Sequence, residues 1–73
     1  MKTLEKMNGN EWAKINEDCT WEYQSDVEDE ESYISGIIIL DDDERTVIDY
    51  DGCYELPEMV LDLLEDAEYY IDL

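Results

Sequence analysis

Ser32-Tyr33-Ile34-Ser35-Gly36-Ile37-Ile38-Ile39-Leu40, followed by Asp41-Asp42-Asp43-Glu44 and Arg45-Thr46-Val47-Ile48-Asp49-Tyr50, reads as a β-hairpin. β-Branched residues dominate the first arm, and such side chains suit the pleated surface of a sheet interior. That arm is expected to be the central, best-buried strand, with Gly36 marking a bulge or a close approach of neighbouring chain. The acidic run Asp41 to Glu44 supplies the turn, and Asp49-Tyr50-Asp51-Gly52 ends the second arm with turn chemistry.

Working outward, Cys19, Trp21 and Tyr23 alternate with Thr20, Glu22 and Gln24, the period-2 pattern of a strand with one apolar face. Further upstream, Asn10 is a plausible N-cap for a short helix from Glu11 to Ile15, set off from the N-terminus by Gly9. Downstream, Pro57 suits a first helical position, where its missing N–H is no loss. Val60, Leu63, Leu64, Ala67 and Ile71 then form one apolar stripe, with Glu58, Asp62, Glu65 and Asp66 on the other side. The expected fold is one α+β domain over residues 1–73, ordered α-β-β-β-α: a three-stranded antiparallel sheet, a short N-terminal helix and a C-terminal amphipathic helix packed on the sheet. Its expected core draws on Trp12, Ile15, Trp21, Ile34, Ile37, Ile39, Val47, Val60, Leu63 and Leu64. Double-stranded-RNA-binding domains share this order, but they meet phosphates with basic residues, and this chain has the opposite sign.

Twenty-three acids face only Lys2, Lys6, Lys14 and Arg45, with no histidine, for a formal net charge of −19 on 73 residues. Disorder would account for that charge, but a hydrophobic fraction of 44% exceeds what chains that stay unfolded carry. A folded polyanion repels itself, and the imbalance persists where a partner, solvent or ion uses it. The implied partner is positively charged. A membrane surface is not, because anionic headgroups would repel the chain. Nothing approaches the roughly 20 apolar residues of a membrane helix, and Met1 to Lys6 lacks the apolar run of a signal peptide, so a cytoplasmic location is expected.

Catalysis and metal binding find little footing. Paired carboxylates occur everywhere in so acidic a chain, but no phosphate loop or catalytic spacing accompanies them, and Ser25, Ser32 and Ser35 have no histidine to activate them. No enzyme and no cofactor are expected. Cys19 and Cys53 are too few for a zinc site and read as buried free thiols or, less compatibly with a reducing cytoplasm, as one disulfide. Aligning Gly52 with the central glycine of a calcium-binding loop places Asp49, Asp51 and Glu58 at ligand positions but puts Val47 where a carboxylate is required.

The acids themselves are the candidate site. Duplex DNA carries about one charge per 1.7 Å of axis, and a small rigid protein can offer comparable spacing to a DNA-binding enzyme. The expected partner-binding stripe joins Glu28, Asp29, Glu30 and Glu31 to Asp41, Asp42, Asp43 and Glu44, extended by Glu58, Asp62 and Glu65. The competing interpretations are a solvated surface adapted to high salt and an acidic protein-interaction module that does not imitate DNA.

In size, acidity and lack of histidine the chain resembles the phage and plasmid inhibitors that mimic DNA: uracil-DNA glycosylase inhibitors, anti-CRISPR proteins and anti-restriction proteins. Glu31-Ser32-Tyr33-Ile34 is similar to the Glu-Ser pair and following apolar residues on the edge strand of the glycosylase inhibitors, with Tyr33 replacing a more familiar aliphatic residue. The resemblance implies that Glu31 mimics a phosphate, that Ser32 contacts the enzyme's DNA-binding loops, and that the partner is a basic DNA-binding enzyme: a glycosylase, a CRISPR effector or a restriction enzyme.

Overall fold

The structure is a computed structural model that describes residues 2–52 and 55–73. It contains β1 (Leu4–Asn8), β2 (Glu11–Ile15), β3 (Thr20–Gln24), a 3-10 turn (Glu30–Ser32), β4 (Tyr33–Leu40), β5 (Thr46–Asp51), α1 (Glu58–Asp66) and β6 (Tyr70–Ile71). The strands form one six-stranded sheet in chain order. β1 to β5 are an antiparallel meander, and α1 carries the chain back so that β6 joins β5 in parallel. α1 packs on β1, β2 and β3 and also on β6. Touching both margins of the sheet requires the sheet to curl around the helix, which gives a half-barrel.

The expected sheet of three antiparallel strands with two helices is therefore corrected, among the described residues, to six strands, mixed in direction, with a single α-helix. The segment Glu11–Ile15 is a strand. Asn8 pairs with Glu11, which leaves Gly9 and Asn10 as a two-residue hairpin turn with Gly9 at φ +65°, the glycine-first pattern of tight hairpins. Asn10 thus turns a hairpin instead of capping a helix, and Trp12, Ala13, Lys14 and Ile15 alternate between the two sheet faces. At the other end α1 stops at Asp66, and Glu68 at φ +66° breaks the helical path. Ile71, assigned by spacing to the helix stripe, lies in β6 opposite Val47. Pro57 stands one residue ahead of α1, as its N-cap.

Ala13, Ile15, Trp21, Ile38 and Val47 of the sheet meet Met59, Val60, Leu63 and Leu64 of α1 to form the core. Ile37 and Ile39, expected there, point outward, because neighbours on a strand project to opposite faces and Ile38 takes the inward position. Gly36 is fixed by close approach: a Cβ there would stand 2.4 Å from the Asp51 carbonyl oxygen and 2.7 Å from the Trp21 ring. The largest core side chain fits because the strand beside it has none at that position.

Candidate functional site

β4 lies between β3 and β5, so its backbone is fully engaged and only its side chains can meet a partner. Tyr33, Ser35, Ile37 and Ile39 share its outward face. Across the strands, Gln24 faces Tyr33, Glu22 faces Ser35, Asp51 faces Ile37 and Asp49 faces Ile39. A register shift after Ile39 inserts one extra residue on β5 and sets Ile48 beside this row. Tyr33, Ile37, Ile39 and Ile48 are 43%, 39%, 39% and 43% exposed, and α1 lies on the other side of the sheet. The result is an uncovered apolar row bordered by carboxylates.

Hydrogen bonds brace the start of that row. Trp12 packs against Tyr33 with ring centroids 6.2 Å apart, and its indole N–H donates to Gln24 Oε1 at 2.9 Å. Gln24 in turn donates to the Asp29 carbonyl at 2.7 Å, tying the acidic connector to β3. The Tyr33 hydroxyl donates to Glu22 Oε1 at 2.7 Å. That bond, followed by one from Asn16, holds the Glu22 carboxyl below its ordinary range and pushes the Tyr33 phenol up. Lys14 pairs in register with Glu22 from β2.

The two acidic runs lie at opposite ends of β4, separated by a strand of eight residues, roughly 25 Å. Several of these acids shape the chain locally. Asp29 accepts from the Glu31 N–H at 3.1 Å and caps the 3-10 turn, and Asp26 accepts from the Glu28 N–H at 3.0 Å. Asp41 accepts from the Asp42 N–H at 2.8 Å. Asp43 accepts from the N–H groups of Arg45 and Thr46 and from the Thr46 hydroxyl, at 2.8, 2.9 and 2.7 Å, which holds its carboxyl below the ordinary range. The side-chain carboxylates of Glu28, Glu30, Glu31, Asp42 and Glu44 make no hydrogen bond or ion pair among the described residues, and all are exposed.

Ser32 is spent on the turn: its hydroxyl lies 2.7 Å from the Asp29 carbonyl and 3.0 Å from that of Asp26. Glu31 and Ser32 precede the strand, which starts at Tyr33, and Ile34 points inward opposite Tyr23. Glu58, Asp62 and Glu65 are exposed on α1, away from the outward face of β4. The sequence-expected stripe thus divides into the two ends of β4, which the apolar row connects, and a separate helix face. Sequence reasoning missed Glu22, Asp49 and Asp51. Strict alternation from the inward Val47 would have turned Asp49 and Asp51 inward too, and only the register shift brings them out.

The cations lie mostly elsewhere. Lys6 Nζ is 3.8 Å from Asp66, and Arg45 lies 5.0 Å over the Tyr69 ring while Nη1 donates to the Ala67 carbonyl at 3.3 Å, near the end of α1. On the inner side of the sheet, an acid-edged groove of about 520 Å³ is lined by Tyr23, Ile34, Leu56, Pro57 and Met59 together with Glu11, Glu55 and Glu58. The Tyr23 hydroxyl donates to Glu11 there, and this bond pushes the phenol up to about 12.

Asp49 and Asp51 belong to β5 and not to a loop, and no group of three or more potential metal ligands assembles among the described residues. Cys19 is half-buried at φ +71° and bonds to no other cysteine among the described residues; Cys53, the other cysteine, lies outside them, so neither the free-thiol nor the disulfide expectation is tested. Among the described residues no helix is long and apolar enough to cross a membrane. Comparison of the chain with protein-family models, curated proteins and solved structures finds no match.

Proposed function

We propose that this chain is a DNA-mimicking inhibitor that occupies the DNA-binding groove of a basic enzyme, with uracil-DNA glycosylase as the first target and CRISPR effectors or restriction enzymes next. One observation carries the reading. A net charge of −19 along a long axis of 38 Å is about one negative charge per 2 Å, close to the 1.7 Å of duplex DNA. The fold holds that density in a folded body, so the carboxylates need little further ordering when they displace DNA from a cationic groove.

The glycosylase reading rests on Glu31, an exposed carboxylate that makes no hydrogen bond or ion pair among the described residues and stands just ahead of β4. Ser32, turned toward its own backbone, shapes the presentation of Glu31 and Tyr33. The chain performs no reaction of its own, uses no cofactor, and works in the cytoplasm of the cell that houses its target.

The test is uracil excision from a labelled duplex at stoichiometric inhibitor. Inhibition that falls with added DNA is expected. Glu31→Lys should weaken binding by about 2–5 kcal/mol, the range for disrupting a charged contact that the complex buries, with Asp72→Lys as the control. Full excision with the parent protein rejects the glycosylase as target. Ternary complexes of chain, enzyme and DNA for every nuclease tested would reject mimicry itself. The second reading, an acidic interaction module, is favoured by the uncovered row Tyr33, Ile37, Ile39 and Ile48, which DNA imitation by charge alone does not require.

A further inference from the structure

We infer that the outward face of β3, β4 and β5 is a docking surface for a protein patch in which apolar side chains are ringed by arginine or lysine. The inference goes beyond the proposed function: it names a contact face and the chemistry that meets it, whether the partner is a DNA-binding enzyme or another basic protein. Ile37, Ile39 and Ile48 lie together on this face, with Tyr33 beyond Ser35 on the same strand, and among the described residues only Trp12 packs on any of them, at Tyr33. An exposed apolar group of this kind, rimmed by polar residues, marks an interaction site.

The rim selects the occupant. Asp51 and Asp49 lie in register with Ile37 and Ile39, and Glu22 is joined to the Tyr33 hydroxyl at 2.7 Å. Any partner that dries the isoleucines also strips water from these carboxylates, a cost that only opposed cations and hydrogen-bond donors offset. Arginine suits the role best, because its planar fork meets a carboxylate in two places and gives up its hydration readily. A second copy of this chain is disfavoured, since a two-fold contact sets Glu22, Asp49 and Asp51 against like charges. The apolar row gives holding strength that counterion release alone lacks, so binding should persist at salt concentrations that dissolve a purely ionic contact.

The test needs no knowledge of the natural target. Two cationic peptides of equal charge serve as probes, one alternating lysine with leucine and the other alternating lysine with glycine, with amide chemical shifts of the labelled protein as readout. The leucine peptide is expected to perturb Tyr33 to Ile39 and Ile48 to Asp51 and to bind more tightly at raised salt. Ile37→Ser/Ile39→Ser should weaken it about tenfold or more, the effect of removing buried anchors, and Leu73→Ser, at another exposed apolar residue, should not. Circular dichroism verifies that the variants keep their fold, and Ile48→Ser offers a second probe should the double variant unfold. Equal binding of both peptides, perturbations confined to α1, or sedimentation as a dimer that Ile37→Ser/Ile39→Ser disperses would each overturn the inference. Failure of the chain to compete with DNA in the excision assay, with peptide binding intact, would instead overturn mimicry alone.

Discussion

Ile38 and its neighbours Ile37 and Ile39 are the same residue on one strand, yet Ile38 is 2% exposed and each neighbour 39%. The inward face of the sheet is closed by α1 and filled around Trp21, with water reaching only its groove beside Glu11; the outward face is wet, and its apolar groups alternate with carboxylates. The difference teaches that hydrophobicity on this chain has two employments. One builds the fold, and the other stays available to whatever binds.

The sharpest way to break that division is Gly36→Ala. The new Cβ would meet a backbone oxygen that the sheet holds in place, so a loss of about 3 kcal/mol or more is expected. In so small a domain that is enough to abolish a cooperative thermal transition. Ile38→Ala should cost about 2–4 kcal/mol by leaving a cavity, read as a lower denaturation midpoint with unchanged slope. Ile37→Ala should cost under about 0.5 kcal/mol in stability, since an outward side chain leaves no cavity. Equal losses at Ile37 and Ile38 would show that the outward face is covered after all.

Protonation sharpens the same comparison. Tyr23, turned inward beside Glu11, titrates at about 12, above its ordinary 10.0. A raised folded value contributes stability that is whole below the unfolded value and is lost as pH climbs through the folded one. Stability should therefore fall between about pH 10 and 12, and Tyr23→Phe should flatten that segment of the profile. Asp18 and Asp43 have lowered values, from bonds to Thr20 in one case and to the Arg45 N–H and Thr46 in the other. Their stabilisation is present at neutral pH and disappears as pH drops through the depressed range. Mild acid above that range should raise the melting temperature by relieving repulsion, and added salt should do likewise by screening. A salt-independent melt would mean the surface carboxylates are already compensated, and unfolding at low salt alone would favour the halophilic interpretation.

Where alternation is clean the sequence reveals the architecture: Trp21 and Tyr23 mark β3, and Val60, Leu63 and Leu64 mark α1. Where two patterns fit five residues, it misleads. Glu11 to Ile15 satisfies a capped helix and a strand alike, and the hairpin at Gly9 decided for the strand by pairing it with β1. β1 itself was invisible, because Glu5, Lys6, Met7 and Asn8 are all exposed on an outer strand with no buried face to impose a period. The candidate site failed in a related way. Ile37, Ile38 and Ile39 are apolar without a break, so no alternation says which of them faces out. The bulge between Ile39 and Leu40 then shifts the parity of β5 and hides the carboxylates that border the row. The acids of the connector and turn were easy to locate in the sequence; that Asp29, Asp43 and Ser32 are occupied with local backbone was not.

The return of the chain through α1 to β6 also governs the order in which this molecule can mature. The hairpins of the meander join neighbours in sequence and can close as they emerge from a ribosome. Ala13, Ile15 and Trp21, by contrast, have no lid until α1 arrives, and the pairing of Ile71 with Val47 completes the sheet only after that. A nascent chain from which α1 has yet to emerge would display a sticky concave surface, so chaperone dependence during synthesis should centre on the inner wall of the half-barrel and spare its acid-fringed exterior.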